Sequence, residues 1–328
     1  MKICIFGAGA VGGVLAGGLA GTGHQVSVVA RGPNLTAIRE HGLRIRDARS
    51  GETRMSRPRA EGDPALLGEQ DCVIVAVKGH SLGQVAAAIG PLLSPRTAVV
   101  TAMNGIPWWF FDRLPYGEGK LRLESLDPGG AIARAIPTSQ VIGCVVHLAA
   151  SMTGPGLISH TMGARLILGE PGGANTERTR AVGAALRESG FEIEETGSIE
   201  REFWVKLLGN VSFNPVSALT LATADRLIAD PLVKDYMVGI MRECLEIGRA
   251  IGVDADIDPE ARMDMARKLG VFKPSMLQDL EAGKALEIDG LLTATLEVAR
   301  KAGVAAPFTR ILLGMVRLRA QTTAQYAS

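Results

Sequence analysis

The glycine string GAGAVG near the N-terminus constrains the fold of this chain more than any other feature. It follows an apolar segment that starts at Lys2, and small residues continue to Thr22. Between a strand and a helix, the first glycine of such a string forms a tight turn, the second lets the backbone approach a pyrophosphate, and the third lets the helix pack closely on the strand. The alternative is a glycine-rich turn that binds nothing. We predict a dinucleotide site that contains Gly7, Ala8, Gly9, Ala10, Val11 and Gly12.

The end of the second predicted strand, His24–Arg31, indicates which dinucleotide binds. Enzymes that use NAD usually carry Asp or Glu at this point, where the carboxylate binds the ribose hydroxyls. This chain has Arg31 and no acidic residue before Glu40. A guanidinium group can donate two parallel hydrogen bonds to a 2′-phosphate. We therefore predict NADP(H) as the cofactor; the alternative for Arg31 is a solvated surface charge.

Strand-like and helix-like segments alternate as far as Gly197. The continuous apolar runs Asp71–Lys78 and Thr97–Asn104 are typical of strands buried on both faces of a sheet. Further strands are predicted at Val141–Ala149, Gly156–His160, Arg165–Leu168 and Glu192–Glu195, and helices at Val11–Thr22, Leu82–Leu92 and Thr176–Ser189. This alternation predicts a mainly parallel, doubly wound sheet.

From Ser198 onward, apolar residues recur only with the period of a helix. The predicted helices cover Val205–Phe213, Leu232–Ile251, Pro259–Leu269, Pro274–Ala282, Leu291–Ala302 and Pro307–Gln321. We therefore predict an α/β protein with an N-terminal Rossmann-type domain, residues 1–197, that binds NADP, followed by an all-α domain, residues 198–328, that binds the substrate and carries the catalytic group.

Charge and cysteine usage exclude several function classes. The formal net charge is +1, which gives no electrostatic reason to expect binding to nucleic acid or to an anionic membrane. The four cysteines stand singly in apolar runs and lack metal-ligand spacing, so we expect free thiols, a reducing compartment and no metal site. The longest uncharged runs are too short or too rich in glycine to span a bilayer. We expect a cytoplasmic protein, and the apolar helices allow a homodimer.

Two polar residues follow predicted strands. Lys78 closes the run VIVAVK, and Asn104 closes VVTAMN. Ligands of open α/β sheets bind beyond the carboxyl ends of the strands, so we expect both side chains to lie near the cofactor. The alternative for each is an ordinary loop residue.

Three polar residues recur at a spacing of four in the apolar stretch WVKLLGNVSFNP. Lys206, Asn210 and Asn214 therefore share one face of a predicted helix. A lysine ammonium can stabilise the negative charge that develops on a ketone oxygen and can donate the proton, while asparagines bind a carboxylate or a hydroxyl without adding charge. The alternative is a solvated polar stripe, although asparagine is a poor helix former.

Two residues farther along are weaker candidates. Ser275 either caps a helix or donates a hydrogen bond to the substrate, and Glu287 either pairs with Lys206 or binds a cofactor hydroxyl.

The chain resembles the ketopantoate reductase family (2-dehydropantoate 2-reductases) over nearly its whole length. The matching pieces are GAGAVG, VAR, AVK, MNG, VKLLGNVSFNPVSAL, KPSMLQDL and LEIDGL, which are specific as an ordered set. The resemblance implies a Rossmann domain, a helical C-terminal domain, and reduction of 2-dehydropantoate to (R)-pantoate by NADPH for pantothenate and coenzyme A synthesis.

The resemblance also implies roles for single residues. Lys206 corresponds to the proton donor. Substrate contacts fall on Asn104, Asn210, Asn214 and Ser275, and cofactor contacts on the glycine string, Arg31, Lys78, Asn104, Ala149 and Glu287.

Two departures bear on the substrate. Well-studied members of the family carry a further substrate-binding asparagine where this chain has Ala224, and the segment after Asn104 is longer than usual and contains Trp108–Phe111. We consider three roles for that aromatic run: a lid, a subunit contact, or a loop that packs on its own domain. Two further functions stay open: reduction of a bulkier 2-oxo acid or an imine, and an NADP(H)-binding sensor without catalysis.

Overall fold

The structure is a computed structural model that describes residues 1–119 and 121–326, and it divides the chain into two compact units. Unit 1 contains Met1–Met103 and Gly130–Ile199, and unit 2 contains Asn104–Gly129 and the chain from Glu200 onward. The segment Asn104–Gly129 thus packs with the helical part of the chain. The predicted assignment of cofactor binding to residues 1–197 and of substrate binding to residues 198–328 stays a prediction.

Unit 1 is built on one twisted sheet. Its strands are β1 (Lys2–Phe6), β2 (Gln25–Val29), β3 (Leu43–Asp47), β4 (Thr53–Ser56), β5 (Arg59–Glu61), β6 (Cys72–Val75), β7 (Ala98–Ala102), β8 (Val141–Gly154), β9 (Leu157–Gly169) and β10 (Glu192–Glu195). The order is β4-β3-β9-β8-β7-β6-β1-β2-β5, with β10 paired to β9. Because β2 and β6 lie on opposite sides of β1, the chain reverses direction across the sheet at β1, where ligands of such sheets bind.

Most strand pairs in this sheet are parallel, as predicted. The exceptions are β3 with β4 and β8 with β9. All residues of β6 and β7 are buried, which explains their unbroken apolar sequence. The two predicted strands Gly156–His160 and Arg165–Leu168 form the single strand β9, which passes through Gly163 at a φ of 77°. The polar, glycine-containing stretch between them had indicated a break that strand pairing overrides.

Five α-helices flank the sheet: α1 (Ala10–Leu19), α2 (Gly32–His41), α3 (Leu82–Ala88), α4 (Ala131–Ala135) and α5 (Glu177–Glu188). The predicted helices near α1, α3 and α5 are confirmed. Sequence analysis missed α2 because only Ile38 in this helix is buried, so no apolar period is visible. It also missed β3, β4 and β5, which are short and partly exposed.

In the described residues of unit 2 the regular elements are helices, while Asn104–Gly129 consists of turns and short 3-10 segments. Its helices are α6 (Ile199–Thr220), which starts at the last residue of unit 1, α7 (Ala224–Ala229), α8 (Pro231–Ala250), α9 (Pro259–Lys268), α10 (Ser275–Glu281), α11 (Ala294–Ala302) and α12 (Pro307–Thr322). The predicted change from alternating elements to helices alone is confirmed. Among residues 1–119 and 121–326, no helix has both the length and the apolar character needed to cross a membrane.

The aromatic run after Asn104 forms part of the core of unit 2. Trp108, Trp109, Phe110 and Phe111 are 6%, 0%, 0% and 1% exposed. The Trp109 ring meets Phe203 edge-on at 5.4 Å between centroids, and Phe110 lies 5.7 Å from Trp204. Side chains buried this deeply within one chain do not form an exposed lid or a subunit contact, so those two hypotheses were wrong. The run packs inside the unit to which it belongs.

Candidate functional site

The glycine string forms the turn between β1 and α1, and its three glycines have different surroundings. Gly7 has a φ of 105°, where residues with a side chain are strained. A Cβ atom added at Gly12 would lie 2.0 Å from the Gly7 carbonyl oxygen, so only glycine lets α1 start this close to the strand. A Cβ atom added at Gly9 would meet no other group within 4 Å. The space above Gly9 is therefore open for a ligand.

A cavity of about 200 Å³ lies at this end of β1 and β2. Its lining includes Gly7, Ala8 and Gly9, and Arg31 is its only charged residue among those that the structure describes. Arg31 is exposed, and its Nη1 donates a hydrogen bond of 2.7 Å to Oε1 of Gln84. The side chain is thus held at the rim, and no carboxylate among the described residues lines the cavity to repel a phosphate.

Asn34 connects the glycine string to the rest of unit 1, and sequence analysis missed it. Its Nδ2 donates a 2.7 Å hydrogen bond to the carbonyl of Ala8, and its Oδ1 accepts one of 2.7 Å from the backbone N–H of Gly156. The signal was present, because an asparagine in the first turn after the second strand of a Rossmann unit lies near the glycine turn. Gln84, which orients Arg31, is on α3 and had no such signal.

The remaining predicted cofactor residues of unit 1 occupy separate places. Ala10 and Val11 begin α1, where backbone N–H groups are free of partners within the helix. Lys78 is half-buried and follows β6. Ala149 lies in β8 beside a bulge, its carbonyl accepts a hydrogen bond from Thr161 Oγ1, and it does not line the cavity at the glycine string.

The predicted polar row lies on α6 in unit 2. Lys206 is half-buried, and its Nζ donates a 2.7 Å hydrogen bond to Oδ1 of Asn104. The backbone beside Asn104 is fixed by Gly105, which has a φ of 84°, and by a 3.0 Å hydrogen bond from the N–H of Ile106 to the carbonyl of Gly290. A Cβ atom at Gly105 would lie 2.5 Å from that carbonyl oxygen. The structure thus brings together two candidate residues that are 102 positions apart in sequence.

The two asparagines of the row keep their side-chain amides available. Asn210 is half-buried and Asn214 is 6% exposed. Within residues 1–119 and 121–326, neither amide side chain hydrogen-bonds to another residue. The amide of Asn214 is therefore available to donate to and accept from a ligand or water.

Two other candidates lie on the C-terminal side of unit 2. Ser275 is the first residue of α10 and is exposed; the cap position is Pro274, so the interpretation of Ser275 as a helix cap was wrong. Glu287 is half-buried in the segment before the π-helical turn Asp289–Thr293. Ala224 begins α7 and is fully buried.

This arrangement supports proton donation to a carbonyl oxygen. The amide oxygen of Asn104 holds the Lys206 ammonium in one place, so its remaining N–H bonds have a defined direction. A partly buried, oriented ammonium is more effective than a solvated one because the lower local dielectric strengthens its attraction to an oxyanion. Clusters of His, Cys, Asp and Glu that could hold a metal ion are not found in the described part of the chain.

The open space above Gly9 leads to a prediction. Replacing Gly9 by alanine should change the free energy of unfolding by no more than about 1 kcal/mol. The same change should weaken NADPH binding on the order of tenfold, because the methyl group occupies the side from which a pyrophosphate approaches. Thermal unfolding and a fluorescence titration with NADPH measure the two effects.

Gly23, which also has open space around it but lies outside the cavity, provides the matched control for Gly9. Gly23→Ala should leave NADPH binding unchanged. Gly12→Ala should destabilise the fold itself. Normal NADPH affinity in the Gly9→Ala protein would contradict a cofactor site at this turn.

Comparison with known proteins adds independent support. Residues 3–109 match the family model "Ketopantoate reductase PanE/ApbA", and residues 198–320 match "Ketopantoate reductase PanE/ApbA C terminal". A 2-dehydropantoate 2-reductase of Mesorhizobium japonicum is 42% identical over 97% of each chain. One of Halobacterium salinarum is 30% identical over 97% of this chain and 98% of its own.

A solved structure from Ralstonia solanacearum, described as a candidate ketopantoate reductase, superposes with a TM-score of 0.94. It is 48% identical, and the match covers 99% of both chains. Sequence similarity and structural similarity both extend over the whole chain. This protein therefore belongs to the ketopantoate reductase family.

Proposed function

We propose that this protein reduces 2-dehydropantoate to (R)-pantoate with NADPH, a step of pantothenate and coenzyme A synthesis. The observation that carries the proposal is the 2.7 Å hydrogen bond between Lys206 Nζ and Asn104 Oδ1, which gives an ammonium group a fixed direction beside two available amides. Close relatives named 2-dehydropantoate 2-reductase support the choice of substrate. We expect no nucleic-acid or membrane partner, because a net charge of +1 gives no electrostatic reason for one.

Lys206 is the proposed catalytic residue. When bound, NADPH supplies the hydride to the carbonyl carbon of the substrate. Lys206 stabilises the negative charge that grows on the carbonyl oxygen and then donates a proton from Nζ to that oxygen, leaving a neutral amine that water reprotonates. Asn104 keeps the ammonium aligned during this step.

The other candidate residues have binding roles in this proposal. Asn104, Asn210, Asn214 and Ser275 bind the carboxylate and hydroxyl groups of the substrate. The cofactor is bound by Gly7, Ala8, Gly9, Ala10, Val11, Gly12, Arg31, Lys78, Asn104, Ala149 and Glu287. Residues 1–197 thus form the NADP-binding domain, and residues 198–328 form the catalytic domain.

Several features support NADP(H) over NAD(H) and a cytoplasmic location. Arg31 is the one charged residue among the described residues of the cavity at the glycine string, so a 2′-phosphate meets a cation and no carboxylate. Cys4, Cys72, Cys144 and Cys244 are all buried free thiols, as expected for a reducing compartment. Burial raises the pKa of Cys4 to about 12, so its thiol is protonated and inert.

A second candidate function is reduction of a bulkier 2-oxo acid on the same site. The observation that favours it is Ala224, which is fully buried and has no amide to bind a substrate hydroxyl. Competition between 2-dehydropantoate and 2-oxo acids with larger apolar side chains separates the two substrates by their kcat/KM values.

A homodimer is also part of the proposal. Phe308, Ile311, Met315 and Leu318 form an apolar stripe on α12, and they are 43%, 54%, 45% and 64% exposed. Gly314 lies beside the stripe with open space around it, although glycine weakens a helix interior. A small residue at that place lets the backbone of a second α12 approach closely. We propose that a second copy of this chain covers the stripe.

Removal of the proton donor should abolish turnover and leave the cofactor site intact. Lys206→Met retains most of the side-chain volume and should lower kcat by on the order of 10² to 10⁴. The dissociation constant of NADPH should change less than about threefold, which corresponds to a binding free energy difference below about 1 kcal/mol. Lys268→Met, an exposed lysine on α9, is the matched control. An unchanged kcat in the Lys206 variant would exclude it as the acid.

The cofactor choice is tested by the loss of absorbance of NADPH and, separately, of NADH with 2-dehydropantoate. The wild-type protein should prefer NADPH, and Arg31→Ala should raise the KM for NADPH by roughly ten- to a hundredfold while leaving NADH nearly unaffected. Arg49→Ala, in an exposed turn, serves as the control. Equal effects on both cofactors would show that Arg31 does not bind a 2′-phosphate.

The dimer is tested by sedimentation of the full chain. Ile311→Glu should shift the protein to the monomer, because a carboxylate in the stripe would be buried without a partner. Arg310→Glu places a carboxylate on the neighbouring exposed position outside the stripe, with an even larger change of charge, and should leave the dimer intact. A monomeric wild-type protein would refute this part of the proposal.

A further inference from the structure

A partly buried arginine on α9 lies directly against the helix that carries the polar row. A Cβ atom placed at Gly209 would be 3.1 Å from Nη2 of Arg262, 3.6 Å from its Nε and 3.8 Å from its Cζ. Because Nη2 is the nearest of these atoms and Cζ the farthest, the Nη2–Nε edge of the guanidinium lies against Gly209. Burial lowers the pKa of Arg262, although the group stays charged at physiological pH.

Among the residues that the structure describes, the guanidinium of Arg262 has no acidic partner. Within residues 1–119 and 121–326 it forms neither a hydrogen bond nor an ion pair. The carboxylates of its own helix are engaged elsewhere, since Asp258 caps the helix N-terminus, Glu260 pairs with Lys234 and Asp264 pairs with Arg267. Arg262 is half-buried, so its guanidinium is partly desolvated and still accessible to a partner of opposite charge. A ligand anion would supply the missing partner.

Gly209 is the residue of α6 against which the Arg262 side chain packs. Its position is in the interior of a 22-residue helix, where glycine is less favourable than alanine. Its φ is not in the left-handed region, so the backbone itself does not require glycine. The nearest groups to a Cβ atom there are all atoms of the Arg262 guanidinium. An added Cβ atom would be tight against the guanidinium, which would have to move by a few tenths of an ångström.

The place of contact on α6 is next to the proposed substrate residues. Gly209 is three positions after Lys206, and residues at this spacing are neighbours on the surface of a helix. We propose that Arg262 binds the carboxylate of the 2-oxo acid substrate through two parallel N–H···O hydrogen bonds. This inference rests on the proposed function and adds a specificity-determining residue to it.

A guanidinium would account for selection of a carboxylate substrate, which the two amides alone do not explain. Asn210 and Asn214 carry no charge, so they offer little discrimination between a carboxylate and a neutral carbonyl compound. A two-point contact to the carboxylate neutralises it and also fixes the orientation of the neighbouring carbonyl group. The enzyme would then select 2-oxo acids over ketones of the same shape that lack the acid group.

The test measures binding without turnover. The dissociation constant of 2-dehydropantoate is determined by calorimetry on the full chain saturated with NADP⁺, which has no hydride to transfer. Arg262→Gln should raise this dissociation constant at least tenfold. Arg262→Lys should raise it less, because lysine keeps the positive charge but lacks the two parallel N–H donors of arginine. Arg267→Gln, an exposed arginine on the same helix, should leave it unchanged.

A neutral substrate analogue separates carboxylate binding from a structural role. The lactone of 2-dehydropantoate has the same carbonyl group and no free carboxylate. Arg262→Gln should weaken the lactone far less than the acid, and Gly209→Ala, which displaces the guanidinium by steric contact, should have the same pattern. Thermal unfolding of each variant establishes that the fold is retained.

Three outcomes would overturn the inference: acid binding within twofold of wild type in Arg262→Gln, equal losses for acid and lactone, or no binding of the acid by the wild-type protein. If the wild-type protein binds the acid but does not reduce it with NADPH, the proposed function fails, while the comparison of the variants still decides the role of Arg262.

Discussion

The packing of two aromatic pairs is the interaction on which unit 2 depends. Trp109 and Phe110 meet Phe203 and Trp204 in the first turns of α6, with ring centroids 5.4 and 5.7 Å apart. Buried aromatic side chains contribute large apolar areas and prefer such tilted or edge-on contacts. The Trp204 indole N–H also donates a 3.0 Å hydrogen bond to the Cys244 carbonyl on α8. These contacts fasten the segment that begins at Asn104 to the helix that carries Lys206.

The far end of that segment is held by a carboxylate. Glu297 on α11 accepts hydrogen bonds from the backbone N–H of Glu124 and from both the N–H and the hydroxyl of Ser125. Burial raises the pKa of Glu297, but the hydrogen bonds from Ser125 and Glu124 more than offset this effect and leave the pKa below its ordinary value. Its anionic form therefore stabilises the segment at neutral pH, and this contribution is lost as the pH falls through that lowered pKa.

The two units position the residues of their candidate sites in different ways. In unit 1 the backbone defines the candidate site, because Gly7 and Gly12 are required by a positive φ and by a close approach, and Gly9 leaves room above the turn. In unit 2 side chains define it, because Lys206, Asn104 and Arg262 are placed by tertiary packing. A backbone turn of this kind has a short sequence signature, whereas a side-chain arrangement has none until its distant partners are known.

The sequence alone determined the glycine turn, the alternation that builds a parallel sheet, the change to helices after Ser198 and the row Lys206, Asn210 and Asn214. These features follow from local geometry, since the periods of strands and helices and the freedom of glycine act over a few residues. Elements with few buried residues, such as α2, stayed hidden because they show no such period.

Only the tertiary structure decided that the aromatic run is core, that Asn104 accepts a hydrogen bond from Lys206, and that Arg262 lies against Gly209 without an acidic partner among the described residues. Each of these facts joins residues far apart in the chain, so it depends on how helices pack and which charges remain unmatched after packing.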